Sequence, residues 1–115
     1  MDAERRRFMR FSAPLKVQTR DSSNQSVSGE IKDFSRDGLS AVFNNLELKP
    51  NSYVDLQIQN PGQDTYSNAS AQVVWGRSSG SKCHIGLRFS EFSPRVKADI
   101  LEYGYKKWVE GQQSS

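Results

Sequence analysis

The sequence predicts a small all-β domain, a six-stranded antiparallel β-barrel with one C-terminal α-helix. Six short segments alternate apolar and polar residues with period two, which indicates half-buried strands. No connection between these segments is long enough for a helical crossover, so neighbouring strands are expected to pair antiparallel. After residue 93 the spacing of the apolar residues becomes helical. At 115 residues, the chain is long enough for one domain with a single core.

The first three predicted strands are separated by two polar turns. The first turn is the segment DSSNQS, which begins at Asp21, and the second is SRDG at residues 35–38. On each strand the apolar residues recur at every second position, so they share one face, which is expected to be buried. These residues are Leu15 and Val17 on the first strand, Val27, Gly29 and Ile31 on the second, and Leu39, Ala41 and Phe43 on the third.

The last three predicted strands follow the loop NNLELKPNS and are separated by NPGQD and by GRSSGSK. In the fifth strand, Trp75 is expected on the same face as the apolar residues that precede it, because it continues their period of two. The apolar residues that share one face are Val54, Leu56 and Ile58 on the fourth strand, Ala69, Ala71 and Val73 on the fifth, and Cys83, Ile85, Leu87 and Phe89 on the sixth.

The C-terminal segment carries the signals of an amphipathic helix. Ser93 is expected as the N-cap, with Pro94 in the first helical position, and Gly111 as the C-terminal stop. One face of the helix carries Val96, Ile100, Tyr103 and Lys107, and beside it lie Leu101, Tyr105 and Trp108.

From these elements we divide the chain into three parts. They are a flexible basic arm at 1–12, a barrel with its helix at 13–111, and a disordered tail at 112–115.

The composition excludes several classes of protein. Hydrophobic residues make up 35% of the chain, which predicts a thin core and favours a binding face over an enzyme with a deep pocket. One cysteine and one histidine, Cys83 and His84, cannot build a zinc site or a disulfide framework. The unpaired cysteine, the missing export signal and the absence of a long apolar run predict a cytoplasmic protein without membrane insertion. We expect no catalytic residues, no metal and no cofactor.

Positive charge is concentrated at the N-terminus. The net charge is +3, yet four arginines fall within the first ten residues, namely Arg5, Arg6, Arg7 and Arg10. Arg6 and Arg10 form the pattern RxxxR. Arginine presents a planar, bidentate donor that suits a phosphate or the edge of a guanine, so an anionic partner is expected at this end. A solvated basic tail, or an arm that binds nucleic acid without specificity, remains the alternative interpretation of this segment alone.

A second motif lies between the second and third strands. Asp33, Ser35 and Gly38 form the pattern DxSxxG. The carboxylate and the hydroxyl can shape a turn or offer hydrogen-bond acceptors to a guanine, and the glycine permits a positive φ or a close backbone approach. Taken alone, the motif is also compatible with an ordinary polar hairpin turn.

The order and spacing of these two motifs resemble those of the PilZ domain. That family is a six-stranded β-barrel receptor for the bacterial second messenger cyclic di-GMP. The resemblance implies that Arg6 and Arg10 clamp the phosphates and the guanine edge of this ligand. It further implies that Asp33, Ser35 and Gly38 form the wall that faces them.

The likeness covers nearly the whole chain. The run Gly86-Leu87-Arg88-Phe89 matches the later strands of the family, and a C-terminal helix is usual there. Arg5 and Arg7 are implied as additional stacking or phosphate contacts. Trp75 resembles an aromatic residue that lines the site in some members, although the core is the alternative place for it.

The resemblance therefore predicts a cyclic di-GMP receptor that is not an enzyme. Ligand binding is expected to order the arm and so to create a surface for a downstream protein effector, with the receptor itself a monomer or a weak homodimer. Two alternatives remain open from the sequence. One is a small barrel that binds nucleic acid through its basic arm. The other is a PilZ-like interaction module that binds no nucleotide.

Overall fold

The computed structural model describes residues 11–12, 14–21 and 23–113. It confirms a closed antiparallel barrel of six strands, in the ring order β1-β2-β3-β6-β5-β4, with one helix after the last strand. Strand β1 closes the ring by pairing with β4. The elements are β1 (Lys16–Arg20), β2 (Ser26–Phe34), β3 (Gly38–Asn44), β4 (Tyr53–Gln59), β5 (Tyr66–Ser79), β6 (Lys82–Phe92) and α1 (Pro94–Gln113).

The core fills the inside of the barrel, as the period-two alternation predicts. Side chains of alternate residues enter the interior from every strand, and the residues between them face outward. Phe34 is fully buried, and its ring lies 5.4 Å from that of Phe89 and 6.5 Å from that of Phe92, measured between centroids. The largest fully buried side chains are Phe34, Phe43, Leu39, Leu46, Leu56, Ile58, Ile100, Val17 and Val73.

Helix α1 begins as its sequence predicts. The hydroxyl oxygen of Ser93 accepts a hydrogen bond from the backbone N–H of Val96 at 3.4 Å, which satisfies one of the free donors of the first turn. Ile100 is fully buried in the core, and Leu101 and Tyr103 pack against it from the same helix. Burial of this apolar stripe holds α1 against the barrel.

Phe11 connects the N-terminal segment to both the barrel and the helix. Its backbone exchanges two hydrogen bonds with Phe34, at 2.9 and 2.8 Å, so it pairs antiparallel with the end of β2. Its side chain is only 5% exposed, and its ring meets that of Tyr105 edge to face at 6.1 Å. A Cβ on Gly104 would lie 2.7 Å from the Cβ of Phe11, so the helix passes close to Phe11 because Gly104 has no side chain.

Three boundaries differ from the sequence prediction. GRSSGSK was expected to form a loop, but β5 runs to Ser79 and the connection is a tight turn in which Gly80 has a φ of +64°. A two-residue turn needs such a residue, and glycine adopts this φ without strain. The stop predicted at Gly111 is wrong, because α1 continues to Gln113 with no proline to end it. Phe11, expected in the flexible arm, is paired with β2.

We predict that Gly104→Ala destabilises the fold although alanine is the better helix former. The added methyl group would collide with the Cβ of Phe11, which cannot rotate away, and such overpacking costs about 1–3 kcal/mol. Gly111→Ala is the matched control. Among the described residues, no atom outside the helix's own backbone lies within 4 Å of a Cβ there, so this substitution should stabilise the helix by up to about 1 kcal/mol. Urea unfolding of both variants measures the difference, and equal effects would contradict the contact.

Candidate functional site

The first feature of the site is a β-bulge in β2. Ile31 pairs with Ala41, but the next pair joins Asp33 to Ser40, so Lys32 is the extra residue. Because the bulge shifts the alternation by one position, Asp33 lies on the outer face with Ser40 rather than inside with Ile31. The hydroxyl of Ser40 donates a hydrogen bond of 2.7 Å to Oδ2 of Asp33. This bond fixes the carboxylate on the outer surface of the barrel.

A second bulge, in β5, moves Trp75 to the same surface. Val73 pairs with Leu87 and Trp75 pairs with Gly86, so Val74 is the extra residue. The prediction that Trp75 shares a face with Val73 is therefore wrong. The indole lies outside over Gly86 and is 44% exposed, whereas Val73 is fully buried. A Cβ on Gly86 would collide with atoms of the indole ring, so the Trp75 side chain packs directly on the backbone of Gly86.

These two bulges create one continuous row across four strands. Asp33 pairs with Ser40, Ser40 with Gly86, and Gly86 with Trp75, so the four residues follow one another along β2, β3, β6 and β5. Adjacent strands lie about 4.8 Å apart, and the row is therefore roughly 14 Å long. It forms the floor of a cleft of about 630 Å³. An acidic acceptor stands at one end and an aromatic surface at the other.

The DxSxxG turn supports this floor through its other two residues. Ser35 is only 6% exposed, and both its hydroxyl and its backbone N–H donate to the carbonyl of Gly38, at 3.3 and 2.8 Å. The hydroxyl therefore shapes the turn, which is the first of the two roles that the motif allows. A Cβ on Gly38 would collide with the backbone carbonyl of Leu87, so β3 and β6 approach closely only because this residue is glycine.

Two cations at the rim of the cleft were not singled out as site residues from the sequence. Arg88 pairs with Gly38 on the outer face and is exposed. Lys97, from the first turns of α1, places its ammonium group 5.5 Å from the centroid of the Phe89 ring. Both residues line the same cleft as Asp33. Alternation alone would have placed Ser40 and Arg88 on the outer face, but Lys97 is brought there only by the docking of the helix.

Phe11, at the described end of the basic arm, lies beside the acidic end of the row. Phe11 is paired with Phe34, the residue that follows Asp33. The remaining predicted ligand contacts lie outside the described residues and stay predictions: Arg5, Arg6, Arg7 and Arg10.

The rest of the described chain contains no cluster of metal-ligating or nucleophilic side chains. No three potential metal-ligating side chains cluster anywhere in the described ranges. The only cysteine, Cys83, is buried as a free thiol, and its sulfur lies 3.7 Å from the hydroxyl oxygen of Ser78. His84, its neighbour, lies on the outer face opposite Arg77. Over the same ranges, no helix combines the length and the apolar character that spanning a bilayer requires.

We predict that Gly86→Ala displaces the Trp75 indole from its position over residue 86, because the new methyl group would occupy the volume of the ring. In a Trp108→Phe background, in which Trp75 is the only tryptophan, the fluorescence should shift to longer wavelength and acrylamide quenching should increase. Gly76→Ala is the control, since the one described atom that a Cβ there approaches is the carbonyl oxygen of His84, at 4.0 Å. Unchanged emission in Gly86→Ala would contradict the placement of the indole.

Comparison with known proteins supports the fold. The family model described as the PilZ domain matches residues 4–106. The PilZ domain of YcgR from Escherichia coli, whose structure contains cyclic di-GMP, matches with a TM-score of 0.71 and 20% identity over 96% of each chain. The Bacillus subtilis inhibitor of motility MotI/DgrA matches with a TM-score of 0.74 and 19% identity, over 88% of this chain and 50% of that one.

A third structure, the Borreliella burgdorferi PlzA protein in complex with cyclic di-GMP, matches with a TM-score of 0.62 and 14% identity, over 94% of this chain and 55% of that one. The chain spans about half the length of the last two proteins. No curated protein sequence matches it. Because the family model covers both predicted motifs, all six strands and most of the helix, the chain belongs to the PilZ domain family.

Proposed function

We propose that this protein is a cytoplasmic receptor, not an enzyme, that binds cyclic di-GMP on the outer face of the barrel. The observation that carries the proposal is the row from Asp33 to Trp75, which two bulges place on one surface beside the point where the arginine-rich arm enters. The row supplies the acceptor and the aromatic surface. The arm supplies the cations.

The chemistry of the ligand matches these groups. Cyclic di-GMP has two phosphates and two guanines, and each guanine offers N1–H and N2–H₂ donors on one edge. The Asp33 carboxylate is an acceptor for that edge, held in place by the hydroxyl of Ser40. The exposed face of Trp75 offers a stacking surface for a purine. Arg88 and Lys97 at the rim add positive charge near the phosphates.

The arm is long enough to close over the row. Consecutive Cα atoms lie about 3.8 Å apart and an extended chain advances at most about 3.6 Å per residue, so Arg6 starts within roughly 18 Å of Phe11. Arg10 is bonded directly to Phe11. Since the row is roughly 14 Å long, both arginines can reach a ligand seated on it. Arg5 and Arg7 are within similar reach and are assigned to additional phosphate or stacking contacts.

Ser35 and Gly38 act on the ligand mainly through the shape of the wall. Ser35 closes the turn that follows Asp33, and Gly38 allows β3 to approach β6 and leaves no side chain above the cleft. The PilZ domain of YcgR and the PlzA protein are structural neighbours whose structures contain cyclic di-GMP, which supports the same class of ligand here. We assign the output to a protein effector that recognises the arm once the ligand has ordered it.

Asp33→Ala is expected to weaken cyclic di-GMP binding by about 1–3 kcal/mol, because the guanine donors lose a charged acceptor. Asp55→Ala is the matched control. Asp55 is also an outward carboxylate that accepts from a serine hydroxyl, Ser70, at 3.1 Å, but it lies on the β4–β5 side of the barrel, outside the cleft. Calorimetric titration measures both variants, and equal losses would contradict the assignment of Asp33.

Arg10→Ala is expected to weaken binding of cyclic di-GMP by a similar amount, about 1–3 kcal/mol. The same titration with GTP and with a short oligonucleotide separates the alternatives. Saturable binding of cyclic di-GMP alone supports the receptor. Binding of the oligonucleotide alone would identify a nucleic-acid-binding barrel. If no ligand gives a binding signal, the alternative of an interaction module without a nucleotide ligand is favoured. Either of these two results would overturn the proposed function.

A further inference from the structure

Strand β5 has an open edge although the barrel is closed. Its pairing with β4 ends where Gln72 meets Tyr53, and two backbone hydrogen bonds at Val73, of 2.8 and 2.9 Å, continue the contact for one residue. Among the described strands, β6 is the one that pairs with residues Val74 to Ser79, on one side of β5. All six of these residues are exposed.

The backbone groups on this edge can be identified from the hairpin. A two-residue hairpin turn is closed by a hydrogen-bonded pair, here Ser79 with Lys82, and such pairs alternate with non-hydrogen-bonded ones. The N–H and C=O groups of Gly76 and Ser78 therefore point away from β6. Within the described part of the chain, no other backbone or side-chain group is found to bond them. Each of the two residues thus offers one N–H donor and one C=O acceptor along the same edge, which is the arrangement that a further strand can pair with.

The outer face of this hairpin is strongly basic. Its two strands contain no acidic residue between Val74 and Arg88. Arg77 and His84 pair directly across the strands, and Lys82 and Arg88 project on the same side of β6 as His84, so the four side chains share the outer face. None of the ion pairs found among the described residues involves these side chains. A strand added at the edge would therefore place its outward side chains next to Arg77.

We propose that the Val74–Ser79 edge is a docking site for an extended acidic segment of a partner protein, which adds to β5 as a further strand. Backbone hydrogen bonds to Gly76 and Ser78 supply the affinity, and carboxylates beside Arg77 supply the selectivity. A second copy of this chain fits less well. The symmetric register that pairs Gly76 with Ser78 of the copy would place the two Arg77 side chains directly opposite each other.

The docking site does not need the nucleotide, so its test is independent of the proposed ligand. The ¹⁵N-labelled, ligand-free protein is titrated with a short capped peptide in which glutamate and valine alternate, and in parallel with the same peptide carrying lysine instead of glutamate. The glutamate peptide should shift the amide resonances of Gly76 and Ser78 and slow their hydrogen exchange by about tenfold or more at saturation. The lysine peptide should leave both unchanged.

Two variants separate the roles of charge and backbone. Arg77→Glu should abolish binding of the glutamate peptide, whereas Lys16→Glu, which reverses an exposed cation on β1, should leave it nearly unchanged. Ser78→Pro removes one edge donor at a position where proline is tolerated, and it should abolish protection at Gly76 while the thermal unfolding midpoint stays close to that of the parent.

Three outcomes would overturn the docking site. The first is that neither peptide perturbs the edge, and the second is that both perturb it equally. The third is that the glutamate peptide shifts resonances on the basic face while hydrogen exchange at Gly76 and Ser78 stays unchanged. In that case Arg77 attracts polyanions, and no strand is added.

Discussion

Side chains alternate strictly between the two faces of a β-strand, and the candidate site depends on two places where one extra residue breaks that alternation. Lys32 in β2 turns Asp33 outward, and Val74 in β5 turns Trp75 outward. If the existing sequence alternated regularly, without a bulge, Asp33 would face inward like Ile31 and Trp75 would face inward like Val73. An ionised carboxylate in the barrel interior would carry a large desolvation cost. The bulges therefore protect the core and build the outer surface at the same time.

Close contact between the strands supports the same surface. Because Gly38 has no side chain, β3 can approach the carbonyl of Leu87. Because Gly86 has no side chain, the indole of Trp75 can pack on its backbone. Phe11 holds the point where the arm enters, because it pairs with Phe34 and packs under α1 at Gly104. The helix thus contributes to the site indirectly. It fixes the end of the arm and supplies Lys97 at the rim.

The period-two pattern predicted the fold, because core burial enforces alternation on every strand. It could not predict the bulges, since an inserted residue such as Val74 is apolar and reads as one more strand position. For this reason the face of Trp75 was predicted wrongly, whereas Asp33 was singled out by the DxSxxG motif, independently of the period-two pattern. The extension of β5 beyond β4 could not be predicted either, because GRSSGSK has the composition of a loop. Its first residues, to Ser79, form a strand only through their pairing with β6. Lys97 joins the cleft through tertiary packing, which no local pattern encodes.

The most direct test of the account is to measure intermolecular nuclear Overhauser contacts in the protein saturated with cyclic di-GMP. If one ligand face spans the row, protons of a guanine base should show contacts to the ring protons of Trp75. The same bound molecule should show contacts to the β-protons of Ser40, beside Asp33. Saturable binding with contacts confined to other faces of the barrel, and none to Trp75 or Ser40, would contradict the claim that the ligand binds across the row from Asp33 to Trp75.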